Sequence, residues 1–262
     1  MKHRNKALLS SLAMLVVTAI TLSSATYAWF TAGTVVSVDE ISASITNTDG
    51  SLLISADGGT TWGIRASAAD MLAYGPNIFP EAGGVEVVTG GTFIPVSVTP
   101  SSQQIIAGAI NGETHKFTAT GNATKGFVKV TVQIKATSAM NVRIAPSFTP
   151  GAVPFLYGAV IQGANVRVLG STGDNYHPIA GPTVECVDTN ANDIVDTGDG
   201  GFNSSMLGSQ VTVSPTTTID VSLAANTPET ITLLMWAEGQ DTNCSGPISA
   251  STSAMTLQVT KI

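Results

Sequence analysis

Strict alternation of apolar and polar residues is clearest in "GFVKVTVQIKAT" (residues 126–137). Val128, Val130, Val132 and Ile134 face one way, and Lys129, Thr131, Gln133 and Lys135 the other. A period of two predicts a half-buried strand. The same period recurs in "TIDVSL" (218–223), in "AMTLQVTKI" (254–262) and, less cleanly, in "TITLLMWAE" (230–238). Weaker patterns predict further strands over Val35–Thr46, Ser51–Ser55, Val85–Thr89, Thr92–Thr99, His115–Thr120, Asn141–Pro146, Ala159–Leu169, Pro182–Val187 and Gln210–Ser214, with Gly-, Pro- and Asn-rich turns between them. The first of these has a register break near Asp39-Glu40. One short helix is predicted in "RASAADMLAYGP" (65–76): Ser67 caps its start, Asp70 stands three residues on, and Gly75-Pro76 ends it. Many short strands and one helix predict an all-β fold, an antiparallel sandwich of jelly-roll or Greek-key type over residues 29–262. The stretch 170–208 is richer in loops and reads as an insertion.

The amino terminus breaks this pattern. A basic patch (Lys2, Arg4, Lys6) precedes a mostly apolar run, Leu8 to Leu22, and small residues then lead to Ala28. This three-part layout is that of a secretory signal over residues 1–28. Cleavage after Ala28 fits best, and Ala25 is the other site. The run of about fifteen residues falls short of the roughly twenty that cross a bilayer. Removal of 1–28 leaves 234 residues with 8 basic against 18 acidic, a net charge of −10. Such a balance argues against nucleic acid and against anionic membrane surfaces as partners. An exported, extracellular protein is expected, with no membrane contact after cleavage.

In an exported chain the two cysteines, Cys186 and Cys244, are expected as one disulfide, with a pair of buried thiols as the other reading. "SADGGTTW" (55–62) fits the Asp-box pattern, whose physical content is a hairpin capped by Asp57 and underpinned by Trp62. "DTNANDIVDTGD" (188–199) places Asp188, Asn190, Asn192, the Ile194 carbonyl, Asp196 and Asp199 at positions 1, 3, 5, 7, 9 and 12 of a calcium loop, an all-oxygen set. Asp193 stands where such loops carry glycine, and a solvated acidic turn is the alternative. No cofactor is required, and Ca2+ is the one ion the pattern suggests. Beyond residue 28 only His115 and His177 remain, with no H-E-x-x-H and no G-x-S-x-G, so zinc and serine hydrolase templates fail and no enzymatic activity is expected.

Two segments carry a resemblance. "ATYAWFT" (25–31) resembles the end of signal peptides cut by SipW-type peptidases of Gram-positive bacteria. "LLMWAEGQDTNCSG" (233–246), with Trp236, Glu238, Gly239, Asp241 and Cys244, resembles a segment of Firmicutes surface proteins that carry such signals. Together they are similar to the TasA–camelysin family of biofilm-matrix proteins. The likeness covers the two ends and hardly touches the middle. It implies a secreted subunit that assembles with copies of itself into surface fibres, after a signal peptidase has acted. It also implies that residues 29–46 serve as a donor strand, the alternative being a first strand of their own domain. Two further function classes stand beside this one: a camelysin-like surface metalloprotease, for which no zinc motif is present, and a carbohydrate-binding or adhesin module. From the residues alone, Trp236 belongs to an apolar strand, Gly239 to the turn after it, Asp241 caps that turn, and Glu238 stands beside them.

Overall fold

The computed structural model describes residues 36–262, apart from 47–48, 112–113, 152, 171–174, 193, 215, 242–243 and 245–250. The expected signal peptide, the Ala28 cleavage site and residues 29–35 of the expected donor strand lie outside the described residues. The fold is mostly β, with 51% strand and 4% helix.

In chain order the elements are β1 (Val36–Ile45), β2 (Leu52–Ser55), β3 (Arg65–Ala66), α1 (Ala68–Ala73), β4 (Glu81–Ala82), β5 (Val85–Glu86), β6 (Ser97–Thr99), β7 (Gln104–Asn111) and β8 (Lys116–Asn122). They continue with β9 (Val128–Ala136), β10 (Met140–Thr149), β11 (Leu156–Gln162), β12 (Asn165–Leu169), β13 (Asn175–Tyr176) and β14 (Glu185–Val187). The last four are β15 (Val211–Thr212), β16 (Ile219–Leu223), β17 (Glu229–Ala237) and β18 (Ser251–Lys261). Helix α1 starts where the sequence places it, with Ser67 and Asp70 forming a reciprocal capping box.

One five-stranded sheet runs β16-β10-β18-β1-β3 and a second runs β12-β11-β17-β9-β2. Their inner faces share the main core: Ile41, Ala43, Leu257 and Val259 from the first meet Val130, Val132, Ile134, Ile231 and Leu233 from the second. The alternation in β9 is therefore a true one-sided strand, with Val128 to Ala136 buried at every second position. Strands β11 and β17 depart from it, because residues 156–162 and 231–237 are buried without alternation. The cause is a third layer. A four-stranded sheet, β14-β8-β7-β6, contributes Val98 and Ile105 to a second cluster with Tyr157, Leu234 and Trp236 on the outer side of the second sheet.

The expectation of a purely antiparallel arrangement needs correction. Strand β1 runs parallel to β18, from Val36↔Ser251 to Ile45↔Val259, with a bulge between Val38 and Glu40. Among the described residues this is the one parallel pairing of two strands. On its other edge the one strand β1 pairs with among the described residues is the two-residue β3, beside which Ile45 N–H donates to the Ile64 carbonyl. The predicted Ala159–Leu169 strand is two strands, folded at Gly163, whose φ of 56° suits a tight hairpin turn. The loop-rich stretch is partly built into the fold, since β14 pairs with β8.

Candidate functional site

The turn after β17 is a densely bonded buried polar site. Trp236 is buried between the second and third sheets, stacked on Tyr157 with ring centroids 5.8 Å apart, and Tyr176 meets it edge-on at 6.5 Å. Its Nε1 donates to Oε2 of Glu238 at 3.0 Å. Glu238 is 0% exposed. The backbone N–H of Val98 also donates to Oε2 and that of Gln240 to Oε1, each at 3.0 Å. Burial pushes the Glu238 carboxyl up to about 8 in spite of these donors. Gly239 donates its N–H to the Val96 carbonyl at 3.0 Å, and Val96 donates to Ala237. Asp241, also buried, accepts from the Tyr157 hydroxyl at 2.7 Å. Tyr176 donates to the Val98 carbonyl at 2.8 Å, and Ile179 donates to Ser97 Oγ at 2.7 Å.

Trp236, Glu238, Gly239 and Asp241 are thus brought together, and they fasten the chain around Val96–Val98 and the 176–179 segment onto β17. Glu238 is fully buried, and the Ser97 side chain is hydrogen-bonded to it as well. What the arrangement does chemically is satisfy buried polar groups at a three-layer junction. The partners Tyr157, Tyr176 and Ser97 are invisible to sequence reasoning; a buried Tyr signals only that its hydroxyl needs a partner.

The expected disulfide is corrected. Cys186 and Cys244 are both buried thiols, not bonded to each other. They stand in different hydrophobic clusters, Cys244 in the main core and Cys186 with Phe117 and Val195 beneath β14. The Cys186 thiol lies 3.6 Å from Asp199 Oδ2, and burial together with that carboxylate pushes it up to about 12.

The acidic loop follows directly. Asp188 and Asp199 are 3% and 7% exposed, and Asp196 lies between them in sequence. Oδ1 of Asp188 accepts from the Asn192 N–H, Oδ1 of Asn190 from the same N–H, and Oδ1 of Asn192 from Ile194 N–H. The amides of Asn190 and Asn192 both donate to Asp196, at 3.0 and 2.6 Å. Asp199 accepts from Asp196 N–H at 3.0 Å and from Thr189 N–H at 3.3 Å, and burial raises its carboxyl above the ordinary range. The predicted loop residues are therefore contiguous; Asp193 lies outside the described residues. Among the described residues no three of His, Cys, Asp and Glu converge as a metal cluster.

The other motifs are local. Asp57 accepts from Thr60 N–H, from both the N–H and hydroxyl of Thr61, and from Ser55 Oγ, and these donors hold its carboxyl far below the usual range. Trp62 Nε1 reaches back to the Gly59 carbonyl at 2.8 Å, and the Lys135 ammonium sits 4.0 Å over the ring. This is the hairpin the residues predict. His177 Nδ1 lies 3.1 Å from the Gly208 carbonyl, and His115 sits in a turn with φ 50°. No family model, no curated protein and no solved structure matches this chain.

Proposed function

We propose that this chain is an exported structural subunit that polymerises outside the cell by exchanging its first strand with a neighbouring copy. A signal peptidase frees the amino terminus after Ala28, and the partner is a second copy of the same chain. The likeness of the two ends to the TasA–camelysin family supports this reading, as does the expected signal.

The observation that carries it is the situation of β1. It lies close to the amino terminus and pairs in parallel with β18, and among the described residues the one strand on its far edge is the two-residue β3. Its inward residues Val38, Ile41, Ala43 and Ile45 are all buried in the main core. A strand that fills a core from one end of the chain can be supplied by another molecule with the same contacts, because every backbone bond to β18 and every apolar contact is reproduced. Removing it uncovers both the β18 edge and an apolar slot, a surface that folded proteins avoid leaving open.

The test is negative-stain microscopy of the protein beginning at Trp29, beside a version beginning at residue 47. Filaments in the first sample and none in the second are expected. Dispersed monomers in both at high concentration reject the proposal.

A further inference from the structure

Ser97, Glu238 and Gln240 are 3%, 0% and 5% exposed, and they meet where Val96, just before β6, bridges to Glu238. Glu238 touches both of the others: the Ser97 side chain is hydrogen-bonded to its carboxyl, and the Gln240 N–H donates to its Oε1 at 3.0 Å. The two outer side chains then turn toward the same small cluster. Ser97 Oγ accepts from the Ile179 N–H at 2.7 Å, and Gln240 Oε1 accepts from the Val195 N–H at 3.1 Å. Ile179 and Val195 belong to one hydrophobic cluster, together with Ile106, the register partner of Ser97. A serine hydroxyl, a carboxyl and a primary amide are thus closed off from water together.

One of the three is incompletely bonded. Gln240 Nε2 is a buried side-chain atom with no hydrogen-bond partner among the described residues. Buried polar atoms are ordinarily satisfied, and an orphaned donor destabilises the fold. That penalty disappears if the nitrogen leaves. The rest of the amide is placed as an acyl group under attack is placed. Its oxygen sits on a backbone N–H, the kind of donor that steadies an oxyanion. The Ser97 hydroxyl has a carboxyl beside it to take its proton. Burial raises that carboxyl toward neutral pH, which makes its ionised form a stronger base.

We propose that Ser97 and Gln240 join in an intramolecular ester, with Glu238 as the catalytic residue. Glu238 takes the proton from Ser97 Oγ, and Oγ forms a bond to Cδ of Gln240. The former amide oxygen, now negatively charged, is held by the Val195 N–H. The Cδ–Nε2 bond then breaks, and the nitrogen leaves as ammonia with the proton that Glu238 returns. One hydroxyl and one primary amide become one ester and one ammonia, with no oxidant and no second reactant. The product ties β6 in the third layer to the turn after β17 in the second sheet, across the junction where Trp236 and Tyr157 stack. It forms within one chain and does not depend on the exchange of β1.

The protein from Trp29 to Ile262 is purified, kept folded for several days, then unfolded in guanidinium and weighed by mass spectrometry. Its mass is expected to lie about 17 Da below that of the sequence, one ammonia lost. The nearest tryptic sites around the two residues are Arg65, Lys116, Arg167 and Lys261, so residues 66–116 emerge joined to 168–261. The first of these pieces holds no cysteine, so a disulfide cannot join them. Alkaline hydroxylamine, which cleaves esters, separates the pair. Ser97→Ala and Gln240→Met keep the full mass, and Glu238→Gln slows the loss by at least about a hundredfold. Full mass in the unmodified protein, a measurement that needs no variant to fold, overturns the proposal. So does an ammonia loss that persists in Ser97→Ala, or one that tandem spectra place at an asparagine.

Discussion

Replacing Glu238 by glutamine separates the charge of this carboxyl from its shape. In the folded chain burial holds the Glu238 carboxyl at about 8, against 4.5 for the ordinary group. Between those two values the folded state binds a proton that the unfolded state has released, so stability falls as pH rises. The contribution is whole below about 4.5 and gone above about 8. The gap of about three and a half pH steps, at about 1.4 kcal/mol each, comes to about 5 kcal/mol, a large share of the roughly 5–15 kcal/mol typical of a folded domain. Asp199 is raised by burial as well and slopes the same way, so the informative quantity is the difference between the two proteins. The substituted amide sets an NH2 among three N–H donors, from Val98, Trp236 and Gln240, which costs roughly 1–3 kcal/mol at every pH. Urea unfolding from pH 5 to pH 9 is the assay. The native protein loses several kcal/mol across this range, and Glu238→Gln starts lower and loses much less, so the curves converge or cross. Parallel curves, or native stability that holds level to pH 8.5, would refute the reasoning.

Ile41 is fully buried on β1 in the main core, so Ile41→Ala lowers the unfolding free energy by about 2–5 kcal/mol, read from the shift of a guanidinium midpoint. Both cysteines are buried thiols, and a thiol-specific chromogenic reagent therefore labels none in the native protein and two after unfolding; no labelling after unfolding would reveal a bond between them. Asp57 is held low by Thr61, Ser55 and Thr60, so its contribution is present above its ordinary value of 3.8 and is lost as pH falls below it; Asp57→Asn flattens the acid side of the stability profile, measured by melting between pH 5 and pH 2.

The strands with one wet face are legible in the sequence. β9 alternates because one face looks into the core and the other is partly covered, and the capping box of α1 is written in Ser67 and Asp70 alone. The break at Asp39-Glu40 is legible too, and it is the bulge that lets β1 follow β18. The third layer is not legible. It covers β11 and β17 on their second faces, and nothing in "LYGAVIQ" distinguishes a strand buried twice from a short buried helix segment. β7, "QIIAGAIN", escapes the pattern because its Ala and Gly residues carry little strand signal; Gly108 is required there, since a Cβ would lie 2.6 Å from Phe117. The Trp236–Asp241 turn is recognisable as a unit, but its meaning depends on Tyr157 and Val98, 84 and 140 residues away from their partners. Gln240 gives no signal at all: a glutamine in a turn is ordinarily a solvated one.

The claim that β1 is exchanged between molecules is tested most directly by a cross-link across its pairing with β18. Ser44 and Gln258 are register partners with outward-leaning side chains, Ser44 half-buried and Gln258 exposed. In a chain with Cys186→Ser and Cys244→Ser, Ser44→Cys and Gln258→Cys are oxidised under conditions of assembly and the product is run on a denaturing, non-reducing gel. Exchange predicts a ladder of covalent multimers that collapses on reduction. Cross-linked monomer alone, at concentrations where filaments would form, would place β1 permanently in its own subunit and contradict the account.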